Sequence, residues 1–222
     1  MTEKAVIRRE KILEAAEKLF YEKGYDDTSF EQIAGECGIT KPLISYHFKA
    51  KKILAGNVYK NTLDRFARIF IDTVGEIMPD VSPISRTIAC ASSYVEYYKQ
   101  NENARRFFLE LISSASIEDL GDLENNYRIA NRLIGGGSSD DRIHLIYISS
   151  NYALHGLIKH YLTDDVRGSK EDFLSYFATV WLRNFPLTDD QISRYAEDAN
   201  IILSNIDVIY EDHFRISVRP RS

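Results

Sequence analysis

Cysteine and tryptophan are nearly absent from this chain, and so is any long apolar run. Only Cys37 and Cys90 occur in 222 residues, far apart and without metal-ligand spacing, which excludes a disulfide-rich scaffold or a cysteine-held metal cluster. Both read as small buried hydrophobes, with a thiol sensor at Cys37 the alternative. No uncharged apolar stretch approaches transmembrane length, and the opening MTEKAVIRREK reaches alternating charge at once, unlike a secretory leader. A cytoplasmic protein with no membrane partner is expected. Basic charge is in deficit too: 28 lysines and arginines face 33 carboxylates, for a net charge of −5. For the chain as a whole that argues against a polyanionic partner. Strand alternation and internal repeats do not persist anywhere, so the 44% hydrophobic content predicts an all-α fold.

Catalytic signatures are missing as well. No serine lies in G-x-S-x-G. The glycines at 135 to 137, followed by Ser138 and Ser139, lack the lysine and strand context of a phosphate loop and read as a flexible linker. Asp140, Asp141 and His144 have a helical spacing that suits a metal, but acidic residues in a first helical turn are expected from the helix dipole alone. His155 and His160 are five apart and do not face each other on a helix. The expectation is a protein that is no enzyme and carries neither cofactor nor metal.

What is present concentrates between Thr28 and Leu54, TSFEQIAGECGITKPLISYHFKAKKIL. Thr28 and Glu31 have the spacing of a capping box, so a short helix is predicted to start there and to bury Phe30, Ile33 and Ala34. Gly38 supplies the left-handed residue that ends it, and Ile39 plugs the turn. Thr40 is the N-cap of a second short helix with Pro42 in its first turn, and Ile44 and Phe48 face inward. Its other face carries Lys41, Leu43, Ser45, Tyr46 and His47, a set suited to base edges and phosphates. Two short helices about a tight turn are the way a helix-turn-helix grips DNA. Charge agrees locally. From Cys37 to Leu63 there are lysines at 41, 49, 51, 52 and 60 and no carboxylate.

The segment resembles the DNA-binding domain of the tetracycline-repressor (TetR) family of bacterial transcriptional regulators. Phe20, Gly24, Tyr25, Thr28, Ile33, Ala34, Gly38, Tyr46, His47, Phe48, Lys51 and Leu54 carry the likeness, across roughly a quarter of the chain. The resemblance implies an N-terminal three-helix reader at residues 1–49, joined by a long helix to an all-helical effector-binding and dimerisation body at residues 50–222. DNA contacts are then expected from Thr28, Thr40, Lys41, Pro42, Leu43, Ser45, Tyr46, His47, Lys49 and Lys51.

The rest of the chain reads as helix after helix. Lys51 to about Met78 forms a lever of about 40 Å. Ser82 and Pro83 open a helix to Gln100, Asn103 opens another, and a further one spans about Ile117 to Leu133. Asp140 to Leu162 and Ser169 to Asn184 are the most apolar. Thr188 and Gln191 cap the last, and the tail after Phe214 is expected to fray. The resembling family pairs the two most apolar helices between subunits, so a homodimer is expected through Leu154, Gly156, Ile158, Phe177 and Trp181. The density of tyrosine, 14 residues, is compatible with an amphipathic cavity, because each buried hydroxyl needs a partner. Phe70, Tyr94, Phe107, Tyr127 and Tyr147 are its candidate liners for a small apolar or aromatic effector, with Arg105 or Arg106 able to hold one carboxylate. The expected function is a repressor released from double-stranded operator DNA by that effector. The rival reading is a helical architectural or interaction protein that binds DNA without any ligand.

Overall fold

The computed structural model describes residues 3–120, 124–133 and 135–221, and among them the chain forms ten α-helices and one small hairpin. The first helix, α1 (Glu3–Lys23), buries Ile12, Ala15, Ala16, Leu19 and Phe20 on one stripe and stops at Gly24, whose φ of 87° only glycine adopts without strain. Two short helices follow, α2 (Phe30–Cys37) and α3 (Lys41–His47). Gly38, at φ 65°, turns the chain between them and donates its N–H to the carbonyls of Ala34 and Gly35. The capping box of α2 sits one residue later than expected: Ser29 accepts from the Gln32 amide, and the Gln32 side chain accepts from Ser29 N–H. Thr28 instead turns inward.

Helix α4 (Lys51–Ile77) runs from this head into the body, and α5 (Pro83–Gln100) is the body's central post. Ser82 caps α5 at the Ile84 amide, as its Ser-Pro start predicts. Tyr94, Tyr97 and Tyr98 are buried along α5, which packs on α4, on α6 (Glu102–Ser114), on α7 (Glu124–Leu133), on α8 (Asp140–Leu162), on α9 (Lys170–Leu182) and on α10 (Asp189–Asn205). Asn101, not Asn103, caps α6 through the Ala104 amide. The helix expected from Ile117 to Leu133 is divided into a 3-10 turn at Ile117–Leu120 and α7, with residues 121–123 outside the described set. That 3-10 turn presses on α4 at Gly56, where an added Cβ would stand 1.7 Å from the Asp119 carbonyl oxygen. Nearby, Lys52 pairs with the Asp119 carboxylate at 2.8 Å. The glycines at 135 to 137 are a helix end more than a linker, because Gly136 N–H bonds the Asn131 carbonyl and Asn131 Nδ2 bonds the Gly136 carbonyl.

The tail expected to fray is ordered. Residues Ile206–Glu211 (β1) and Arg215–Pro220 (β2) pair antiparallel, Val208 opposite Val218, around a turn at Asp212, His213 and Phe214. β2 lies along α4, and Phe214 and Ile216 are buried. The all-α class holds with this one addition.

Candidate functional site

The exposed surface of the head follows from its buried one. Ile44 and Phe48 are anchored in the core, so helical spacing turns Pro42, Ser45 and Tyr46 outward together. Tyr46 is 80% exposed, which for a tyrosine costs apolar hydration without return in the isolated chain. Thr40 and Lys49 are exposed at the two ends of α3, while Leu43 and His47 are half-buried. The His47 ring meets Tyr46 edge-on at 5.3 Å, and its Nε2 has no hydrogen-bond partner among the described residues. Lys41 bonds Glu31 at 2.5 Å, which holds the Glu31 carboxyl below its ordinary range and ties α3 to the start of α2.

Two of the expected DNA contacts are engaged within the chain. Thr28 is buried, and its hydroxyl donates to the carbonyls of Leu19 at 3.2 Å and Gly24 at 2.7 Å, locking the end of α1. Lys51 sends its ammonium to the carbonyls of Tyr25 at 2.8 Å and Asp26 at 3.2 Å, and over the Tyr25 ring at 4.3 Å. It pins α4 to the turn after α1 and is not a free phosphate ligand. At the start of α4, Ala50 offers no side-chain cap, which leaves the first backbone amides for an outside acceptor.

In the body, α4, α5, α7, α8 and α9 enclose a cavity of about 390 Å³. Of the five candidate liners, Tyr94 and Tyr127 face it. Phe70, Phe107 and Tyr147 do not. Phe70 is fully buried against Phe66, Phe107 packs between Phe20 and Phe214 at 5.4 and 5.3 Å, and Tyr147 stands behind the Tyr127 ring at 5.9 Å. Tyr59, Asn151 and His155 supply polar groups that sequence reasoning missed. The Tyr59 hydroxyl lies 3.3 Å from His155 Nε2, and Asn151 Nδ2 donates to the Tyr127 hydroxyl at 3.2 Å. Burial pushes the Tyr59 phenol far above its ordinary pKa and lowers His155 to about 4, so both are neutral near pH 7. Among the described residues, Asp64, already paired with Lys60, is the one carboxylate that lines the cavity, and no lysine or arginine joins it. Arg105 and Arg106 point elsewhere: Arg105 reaches the Lys99 carbonyl, and Arg106 bonds the Glu22 carbonyl at the end of α1.

Four of the five residues expected at the dimer face also serve the interior of their own chain. Leu154, Ile158, Phe177 and Trp181 line the cavity of their own chain, because the strongest apolar stripe of α8 and α9 serves the core first. Trp181 is half-buried, and Gly156 is open, with no heavy atom within 4 Å of where a Cβ would stand. The outward faces of the two helices carry Leu145, Tyr152 and Tyr176, each about 60% exposed. Among the described residues no helix is long and apolar enough to cross a membrane, and no acid, histidine and cysteine group forms a metal site.

Comparison with known proteins agrees with the geometry of the head. Residues 12–57 match the family described as bacterial regulatory proteins, tetR family. The biofilm operon icaADBC HTH-type negative transcriptional regulator IcaR of Staphylococcus epidermidis is 24% identical over 206 residues, 88% of this chain and 97% of its own. The uncharacterized HTH-type transcriptional regulator YerO of Bacillus subtilis is 40% identical over 47 residues, 21% of this chain and 16% of its own. Among solved structures, RolR in complex with resorcinol superposes with a TM-score of 0.58 at 16% identity, covering 90% of this chain and 96% of that one. A TetR transcriptional regulator from Rhodococcus sp. RHA1 gives 0.55 at 18% identity, covering 91% and 99%.

Proposed function

We propose, from the premise that this chain is a TetR-family transcriptional regulator, that it is a cytoplasmic homodimeric repressor released from its operator by a small neutral ligand. The observation that carries the ligand is the cavity, which shares α4 with the head. A molecule that prefers one arrangement of α4 against α5 and α8 moves the head at the other end of that helix. The lining selects the ligand class. Aromatic and aliphatic walls, with Tyr59, His155, Asn151 and Tyr127 as neutral donors and acceptors, suit an aromatic or apolar compound bearing one or two hydroxyl or carbonyl groups. A multiply charged metabolite finds no cation there among the described residues. Repression is the sign supported by the name of the staphylococcal relative, a negative regulator.

Two heads are needed because one recognition helix reads only a half-site. Pro42, Ser45 and Tyr46 of α3 face the major groove, with Thr40 and Lys49 at its ends and the uncapped start of α4 on a phosphate. The outward strip of Leu145, Tyr152 and Gly156 on α8, with Tyr176 on α9, forms the subunit interface. The test is to select a bound duplex from random-sequence DNA, then titrate neutral aromatic compounds while measuring both ligand and duplex affinity. Ligand and DNA must weaken one another by the same factor. A compound that fills the cavity and leaves duplex affinity unchanged is not the effector, and failure of the whole set sinks the reading.

A further inference from the structure

The C-terminal hairpin does more than finish the chain. Its turn is inserted between the head and the body, and the contacts come from both sides. Phe214, 3% exposed, packs edge-on against Tyr21 of α1 at 5.2 Å and, tilted, against Phe107 of α6 at 5.3 Å. The Tyr21 hydroxyl donates to Asp212 Oδ1 at 2.6 Å and accepts from Asn101 Nδ2 at 2.9 Å, joining head, hairpin and the start of α6. Arg65 of α4 grips Glu17 of α1 through two bonds, at 2.7 and 3.2 Å. The same guanidinium donates to the carbonyls of His213 and Phe214. From the body side, the Tyr97 hydroxyl holds the Glu211 carbonyl at 3.1 Å.

Backbone conformation points the same way. His213 and Phe214 both have φ of 56°, a left-handed geometry that side chains with a Cβ adopt at a cost. A free hairpin would relax it or place glycine there. The two residues keep it because the turn must offer Phe214 inward and both carbonyls to Arg65 at once.

We infer that this hairpin is the joint that fixes α1, and with it the reading helix, at a set angle to the body. It acts by position and touches no DNA. α1 packs against α2, and α2 against α3, so a loosened Tyr21 frees the head to shift about the start of α4, with the Arg106 bond to Glu22 still tying it to α6. This rests on the reading that two heads engage one operator, since only paired heads need a fixed spacing.

The test compares the full-length parent with Phe214→Ala and Tyr21→Phe on a selected duplex carrying two half-sites and on its single half-site. Phe214→Ala is expected to weaken the two-part duplex about tenfold and Tyr21→Phe about fivefold, within the usual range of coupling between sites, while half-site affinity stays unchanged. Equal loss on both duplexes means a damaged head, and no loss on either means no joint; either result overturns the inference. A parent that does not prefer the two-part duplex refutes the paired-head reading instead. Hydrogen exchange without DNA then decides the joint itself. Amides of residues 12–23 should exchange at least about tenfold faster in Phe214→Ala while those of α8 do not change. Unchanged exchange in 12–23 overturns the inference however the chain reads DNA.

Discussion

Replacing Gly56 by alanine is expected to cost about 2 kcal/mol of stability, within the usual overpacking range of roughly 1–3 kcal/mol. The new methyl would begin 1.7 Å from the Asp119 carbonyl oxygen and 2.7 Å from its carbon. An unstrained carbon-to-oxygen contact is about 3.3 Å, so helix and turn must part by roughly 1.6 Å. Neither partner is the free end of a flexible side chain. Backbone faces backbone, and moving Asp119 also pulls its carboxylate from Lys52 and from the amide and hydroxyl of Ser116. Burial works against ionisation of Asp119, yet the Lys52 ammonium and Ser116 donors hold its carboxyl below the ordinary value, so this cluster is coupled to the gap that closes. For a chain of this size the melting temperature should fall by about 4–8 °C. The assay is thermal and urea unfolding followed by far-UV circular dichroism, with Gly35→Ala as the control. Gly35 has nothing within 4 Å of its missing Cβ and lies inside α2, so alanine there should stabilise by about 0.5–1 kcal/mol. Should Gly56→Ala melt within about 1 °C of the parent, the close approach of α4 to the 3-10 turn does not exist in solution.

Lys49→Ala should lower the salt dependence of DNA binding by about one unit of slope with stability unchanged. Lys51→Ala should instead lower stability by about 1 kcal/mol, because its ammonium holds two carbonyls, and the pair of titrations with unfolding curves separates the roles. Tyr176→Asp is expected to yield folded monomers in sedimentation, whereas Phe177→Asp, at a position 5% exposed, should unfold the body; the opposite pattern would return the interface to Phe177. Burial lowers His155 to about 4, so the unfolded chain, near 6.5, takes up the proton first as pH falls. The stability tied to its neutral form is complete above about pH 6.5 and drains toward pH 4, with roughly 1–2 kcal/mol gone at pH 5. Urea midpoints at pH 7 and 5 should show that loss in the parent and a smaller one in His155→Gln.

Local punctuation carried most of the fold. Ser82 with Pro83, Ser139, Ser169, Thr188 with Gln191, and Gly38 each end or start a helix through atoms adjacent in sequence, so those boundaries are readable without tertiary knowledge. Where two caps competed, composition did not decide. Thr28 and Ser29 both have a partner three residues on, and the winner was set by Leu19 and Gly24, whose carbonyls draw the Thr28 hydroxyl inward. The hairpin was missed because Ile209 breaks the apolar-polar alternation of Ile206, Asp207 and Val208, and because its turn, Asp212-His213-Phe214, has none of the usual turn glycines and is held in place by α1 and α4. The site was harder. A stripe of Leu154, Ile158 and Phe177 announces burial but not against what, and on α8 and α9 it closes the chain's own cavity while a weaker apolar strip stays exposed. Polar liners such as Asn151 and His155 sit inside apolar helices and become visible only once Tyr127 and Tyr59 stand opposite.

The contact between Tyr21 and Asp212 spans 191 residues, and that separation sets an order of events during synthesis. At roughly 5–20 residues per second, α1 waits about 10–40 s for its anchor to be translated. Helices α1 to α3 pair over short loops and can assemble early, whereas contacts of such long range form last because their closure entropy must be met first. A nascent head thus acquires its shape well before its orientation. Any truncated product that stops short of Asp212 would carry a folded reader without a fixed aim, and so would compete poorly with finished molecules for a two-part operator.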